Sequence, residues 1–369
     1  MAPAEVLSRV WEFVVRPVDR FLFGVTIAIV AVGMVTLFSA ADQSVGRVSN
    51  QLVSLAIALV AMWVVANIPP QTLARTAVPL YVLAVVLLVG VALFGVVVNG
   101  SRRWLNLGIT RIQPSELMKM ALPLMLAWYF QKCEGRIGWK AFLFAAVLIA
   151  IPAVLVKKQP DLGTALLLIA SGFYVLYLAG LSWKIILGLT AAVGALAPVF
   201  WNLLHDYQRR RVLTFIDPTQ DPLGAGYHSA QASIAIGSGG VVGKGWLNGT
   251  QTHLDFLPER HTDFIFAVYG EEFGLVGNIV LIVLYLMLIG RGMMIAAHAS
   301  TLFGRLMAGA VTLMFFTYAF VNMGMVSGVL PVVGVPLPFV SYGGTALLSL
   351  FIGIGILMSV QAHRKLVYS

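Results

Sequence analysis

Five carboxylates, Asp255, Glu259, Asp263, Glu271 and Glu272, crowd with Arg260, His253 and His261 into the stretch H-L-D-F-L-P-E-R-H-T-D-F-I-F-A-V-Y-G-E-E-F-G-L-V-G, which begins at His253. Asp263 is followed directly by F-I-F-A-V, so an ionisable group stands at the edge of an apolar run, where it is costly. One acid there would serve as a helix cap. Several converging acids exceed what a cap needs and point to a site where a carboxylate takes up a proton.

Three further motifs carry charge next to apolar runs. R-I-Q-P-S-E-L-M-K runs from Arg111 to Lys119. Pro114 and Ser115 suit a helix start, and Glu116 suits its positive end, but Lys119 inside the run needs a partner or a ligand. K-K-Q-P-D-L-G-T begins at Lys157; Asp161 reads as a cap and the lysines as snorkelling side chains. Y-Q-R-R-R-V, from Tyr207, puts Arg209, Arg210 and Arg211 at the end of a run, where a phosphate clamp and a snorkelling rim look alike.

Other chemistries fail on spacing. In G-S-G-G-V-V-G-K-G, Ser238 stands where a phosphate-binding loop needs its first glycine and Gly245 where it needs Ser or Thr, which leaves a flexible outer loop. The six histidines show no metal-ligand spacing, no G-x-S-x-G step offers a serine nucleophile, and Cys133 is the single cysteine. No protein-bound metal is expected.

The elements that must position these groups are membrane helices. The chain of 369 residues is 59% hydrophobic and 11% charged, with mean hydropathy +0.91, which excludes a soluble enzyme. Its net charge of +9 has no polar domain on which a nucleic acid could bind. Apolar runs near 21–40, 52–68, 77–98, 117–130, 141–156, 162–182, 185–204, 273–297, 303–326 and 345–362 predict an all-α polytopic membrane protein of about ten transmembrane helices, one domain over 1–369, the first span uncleaved. The long segment of about 205–272 falls outside. Arg16, Arg20, Arg364 and Lys365 flank the outermost spans and assign both termini to the cytoplasm.

The 24 Lys and Arg then divide evenly between the faces, whereas all acids but Glu5, Glu12, Asp19 and Glu134 lie outside. Outer cations and carboxylates together suit an anionic substrate handled by acid–base groups, for instance a lipid phosphate.

The segment N-M-G-M-V-S-G-V-L-P-V-V-G-V-P-L-P-F-V-S-Y-G-G-T, from Asn322 to Thr345, predicts irregular backbone that is buried or lines a cavity. It resembles the signature of the SEDS family (shape, elongation, division and sporulation proteins). R-I-Q-P-S-E-L, Q-P-D-L-G-T, D-P-L-G-A-G-Y-H and L-P-E-R-H-T-D-F-I-F-A follow in family order over nearly the whole chain. Val332 and Val333 in the L-P-x-x-G step, and Arg260 before H-T-D, resemble the elongation branch more than the division branch.

The resemblance implies a peptidoglycan glycosyltransferase of the bacterial inner membrane that polymerises lipid II on the periplasmic face. Asp263 would deprotonate the acceptor GlcNAc 4-hydroxyl, with inverting displacement of undecaprenyl pyrophosphate. Arg111, Lys119, Arg209 and Arg211 are candidates for the pyrophosphate; Glu116, Asp161, Asp255, Glu259 and Ser341 are further substrate-binding candidates. Whether Mg²⁺ or Mn²⁺ assists stays open. Implied partners are a class B penicillin-binding protein and other elongation-complex membrane proteins. A flippase for the same lipid would need midplane charge, and a scaffold would not need acids at the hydrocarbon edge.

Overall fold

The computed structural model describes residues 16–98, 101–106, 111–159, 161–196, 198, 201–202, 209, 213, 225–253 and 259–364. In chain order the helices are α1 (Arg20–Ala40), α2 (Val45–Asn67), α3 (Pro70–Phe94), α4 (Pro114–Lys132), α5 (Trp139–Lys157), α6 (Leu162–Leu178), α7 (Trp183–Ala195), α8 (Ala225–Ser238), α9 (Thr250–His253), α10 (Ile265–Ala297), α11 (Leu302–Val326) and α12 (Gly344–Ala362). Each of the ten expected runs falls on one helix. Seven of these are long and apolar enough to cross a membrane, and α6 and α7 are shorter apolar helices. The chain is a helical, polytopic membrane protein.

Local chemistry sets the helix starts. Asp19 accepts from the Leu22 amide at 2.8 Å, Thr301 caps α11 through the Gly304 amide at 3.0 Å, and proline occupies the first turn of α3 and α4. The third run ends earlier than expected. Helix α3 stops at Phe94, and β1 (Val96–Val98), β2 (Ser101–Asn106) and β3 (Arg111–Ile112) form a small antiparallel sheet in the order β1-β2-β3. The eighth begins earlier: α10 starts at Ile265 and breaks its helical geometry at Gly274, where φ is 65°.

Helix α11 packs on α10, α6 and α4, and α12 lies along α2. Helices α4, α11 and α12 are buried on most sides, whereas α2 turns Leu52, Val53, Ile57, Val60 and Val64 outward to acyl chains. The irregular segment from Ser327 to Gly343 is drawn into this bundle as its sequence requires: Val335, Leu337, Phe339 and Val340 are buried, the Tyr285 hydroxyl donates to the Pro338 carbonyl at 2.6 Å, and Gln51 accepts from the Gly343 amide at 3.3 Å.

The glycine run after Gly237 corrects an expectation. It is a packed clamp rather than a flexible loop. Glu271 and Glu272, both buried, hold it: Lys244 Nζ donates to Glu271 at 2.7 Å, the Gln251 amide to Glu271 at 2.9 Å, and the Leu247 amide and Ser39 hydroxyl to Glu272. Gly243 has φ +81, and a Cβ there would lie 2.2 Å from the Glu272 carbonyl oxygen. These two acids therefore anchor structure, away from Asp263.

Candidate active site

The H-T-D step is a tight turn ahead of α10. Glu259 has φ 56°, and its carbonyl accepts from the Thr262 amide at 3.0 Å and from the Phe264 amide at 3.4 Å; the Thr262 hydroxyl reaches the Glu259 carboxylate at 2.9 Å. Phe264 occupies the cap position of α10, so Asp263 stands one residue outside it.

Three consecutive carbonyls then tie this turn to the buried segment. The His261 carbonyl accepts from the Tyr342 amide at 2.9 Å, the Thr262 carbonyl from the Ser341 hydroxyl at 2.7 Å, and the Asp263 carbonyl from Asn322 Nδ2 at 2.8 Å. Asn322, fully buried, also donates to the Val335 carbonyl at 2.7 Å, and Ser341 also accepts from the Leu337 amide at 2.8 Å. The hydroxyl donor of Ser341 is thus committed, and what this residue contributes is position. Gly334 has φ +72, and a Cβ there would come within 3.3 Å of Asp263 Oδ2, so the segment passes closely behind the carboxylate.

Across from Asp263, α4 presents a buried ion pair. Lys119 Nζ donates to Glu116 Oε1 at 2.6 Å and lies 5.1 Å from the centre of the Tyr318 ring; Glu116 Oε2 accepts from the Ser349 hydroxyl at 2.8 Å. Glu116 also sits in the first turn of α4, where it complements the helix start while facing the cleft. Asp161 likewise caps α6, accepting from the Thr164 amide at 3.0 Å and its hydroxyl at 2.9 Å, while Arg103 approaches it at 3.6 Å.

These groups line one cleft of about 290 Å³: Asp263, Glu116, Lys119, Asp161, Glu259 and Ser341 from the sequence-derived set, joined by Arg103, Gln113, Thr262, Tyr342 and Gly343. Arg209 lies apart, its guanidinium donating to the carbonyls of Trp201 at 3.0 Å and Asn202 at 2.9 Å. The backbone of Arg111 forms β3, paired with Asn106; its side chain, and Asp255 and Arg211, lie outside the described residues. Arg103 lies outside the motifs singled out in the sequence, and only the fold of β2 carries it to Asp161. Asn322 opens the buried segment's motif without any sign that its amide would hold two carbonyls.

His261, in the loop before α10, has its pKa lowered by burial first and by Arg47 second; Arg260 adds to this and Glu259 opposes it. Arg260 itself pairs with Asp42, tying the first outer loop to the H-T-D turn. Among the described residues no three His, Cys, Asp or Glu side chains converge as a metal cage.

A carboxylate held by its backbone in a cleft with a buried ammonium and a guanidinium can deprotonate a hydroxyl while cations receive a departing anion. Comparison with known proteins agrees in kind. The family model "Cell cycle protein" (FtsW/RodA/SpoVE) matches residues 18–366. The peptidoglycan glycosyltransferase MrdB of Escherichia coli (strain K12) is 51% identical over 349 residues, 94% of each chain. A chain of a solved peptidoglycan synthase complex coordinating polymerization and crosslinking superposes with a TM-score of 0.83 at 34% identity, covering 94% of this chain and 99% of that one. The rod shape determining protein RodA of Thermus thermophilus gives 0.71 at 30% identity, with 94% and 97% covered. The chain belongs to the FtsW/RodA/SpoVE family, the shape, elongation, division and sporulation proteins that its motifs resemble.

Proposed function

We infer that this chain is a peptidoglycan glycosyltransferase of cell elongation that polymerises lipid II, with Asp263 as general base. The observation that carries the assignment is the fixed H-T-D turn: three successive carbonyls are bonded to three separate donors, and the Asp263 carboxylate shares a cleft with Lys119 and Arg103. In the reaction the proton of the acceptor GlcNAc 4-hydroxyl passes to Asp263. The oxygen forms a bond to the donor MurNAc anomeric carbon with inversion, and the bond from that carbon to pyrophosphate breaks with its electron pair. Lys119, which has three donors and gives one to Glu116, and Arg103 would meet the charge that develops on the leaving undecaprenyl pyrophosphate. Arg111 stays a candidate for the same role. Glu116, Asp161 and Glu259 would shape the polar wall, and Ser341 would hold the turn.

A Mg²⁺ or Mn²⁺ ion, if it enters with the pyrophosphate, would rest mainly on phosphate oxygens with a carboxylate such as Asp161, since Mg²⁺ sites of this kind use one or two protein acids. It would neutralise charge on the leaving group. On this reading the protein lies in the bacterial inner membrane with both termini cytoplasmic and the cleft facing the periplasm, and a class B penicillin-binding protein is its expected partner.

The test is purified protein in liposomes with labelled lipid II. Asp263→Asn should insert normally and form no detectable polymer, because a general base supplies roughly 10² to 10⁴ in rate. Polymer at the wild-type rate would remove Asp263 from the chemistry, and translocated monomer without polymer would favour a flippase.

A further inference from the structure

We propose that the membrane face opposite the catalytic cleft holds a binding site for the headgroup of an anionic phospholipid, in a recess between the ends of α3, α4 and α11. The recess measures about 330 Å³ and is lined by Gln71 and Arg75 of α3, Trp128, Gln131 and Lys132 of α4, and Thr301 ahead of α11. Its place relative to the active site follows from α4 alone. That helix begins beside Glu116 in the cleft and ends at Lys132 in the recess, and its 19 residues span about 28 Å, the thickness of the hydrocarbon layer.

The chemistry of the lining selects an anion. Arg75 and Lys132 are exposed cations, and among the described residues neither has an ion-pair or hydrogen-bond partner. The described acids of this face are Asp19, which is bound to Arg291 at 2.5 Å, and Glu134; neither lines the recess. Two helix starts, Pro70 of α3 and Thr301 of α11, open onto the same space and add to the positive potential. The volume lies near the lower end of the roughly 300–1,000 Å³ typical of ligand pockets, which suits a phosphodiester headgroup.

Position then selects a lipid over a free phosphate. The recess sits at the end of the spanning helices, with a half-buried tryptophan, Trp128, on its wall, the residue type that settles at headgroup depth. Above it α3 turns Val82, Leu83, Val86 and Val89 outward, an apolar face along which acyl chains can lie while the headgroup reaches Arg75 and Lys132. Basic pockets between membrane helices are the recurring form of such sites. None of these groups belongs to the catalytic cleft, so the site stands or falls separately from the glycosyltransferase reading.

Native mass spectrometry of the full-length protein, titrated with dioleoyl phosphatidylglycerol, dioleoyl phosphatidylcholine or inorganic phosphate, tests it. Wild type should bind phosphatidylglycerol more tightly than phosphatidylcholine. The double variant Arg75→Gln/Lys132→Gln should weaken phosphatidylglycerol by about ten- to thirty-fold, since each cation near the surface is worth about a factor of five, and leave phosphatidylcholine unchanged. Lys140→Gln/Lys184→Gln removes the same charge from exposed positions of the same face, outside the recess, and should change nothing. Equal weakening by both double variants would mean a diffuse field, and no preference between the lipids would mean no site. Displacement of the lipid by millimolar inorganic phosphate would reassign the recess to a soluble anion; each of these results overturns the proposal.

Discussion

Asn322 and Gly334 decide where the Asp263 carboxylate points without taking part in proton transfer. Asn322→Ala deletes two buried hydrogen bonds, to the Asp263 and Val335 carbonyls, and should cost about 2 kcal/mol of stability at roughly 1 kcal/mol each. Turnover should fall further than lipid II affinity, because misplacing the base by a fraction of an ångström harms the chemical step before it harms binding. Gly334→Ala forces a side chain into a left-handed backbone position and against Asp263 Oδ2, so polymer yield should drop at matched protein level. His261 supplies a pH test. Its pKa is lowered, so the imidazole is neutral in the folded protein, and the stability this represents is present above about pH 6.5 and lost as pH falls through the lower folded value. Thermal melts between pH 7.5 and 5 should fall more steeply for wild type than for His261→Gln; parallel curves would remove His261 as the titrating group. At this scale the sequence exposed the acids well, because charge beside apolar runs is conspicuous. It could not show that Glu271 and Glu272 turn away from Asp263 into the Gly237–His253 clamp, since that depends on the break at Gly274.

At the scale of elements, α4 concentrates the stakes, because Glu116 and Lys119 form a buried pair one turn apart at its start. Breaking such a pair from one side leaves an uncompensated charge and costs about 3–5 kcal/mol. Lys119→Gln and Glu116→Gln should therefore each lower the melting temperature and reduce polymerisation. The double variant Glu116→Gln/Lys119→Gln separates structure from function: melting should recover towards wild type while polymerisation stays low if Lys119 also meets the substrate pyrophosphate. Recovery of both would make the pair purely structural. Helix positions were legible from apolar length and from caps such as Asp19 and Asp161. The sheet after α3 was not read, although V-V-V-N-G-S-R-R-W carries a hairpin signal, an Asn-Gly step flanked by strand-forming residues; its valines extended the apolar run and hid the change of period.

For the molecule as a whole, the cleft and the cationic recess stand at opposite ends of α4, and the uneven distribution of acids in the sequence already set the two sides apart. One face gathers acids and cations into the cleft, and on the predicted topology the opposite face carries half of the 24 Lys and Arg against only Glu5, Glu12, Asp19 and Glu134. What sequence could not supply was depth, because burial of Lys119, Asn322 and the Ser327–Gly343 segment arises only when α4, α11 and α12 close around them. That architecture also bears on how the enzyme is used. Among the described residues, the structure outside the spanning helices amounts to a small sheet and short helices. Helix α7 buries none of its residues and presents Trp183, Ile185, Leu187, Leu189 and Val193 outward, leaving its position open to a membrane partner. We therefore expect co-purification with a class B penicillin-binding protein and a several-fold rise in lipid II polymerisation when that partner is added to liposomes. Replacing Leu187 and Val193 by Ala should reduce the rise while leaving the basal rate unchanged, since neither residue lines the cleft. A basal rate that already equals the rate with partner would show that α7 and its surroundings play no part in activation.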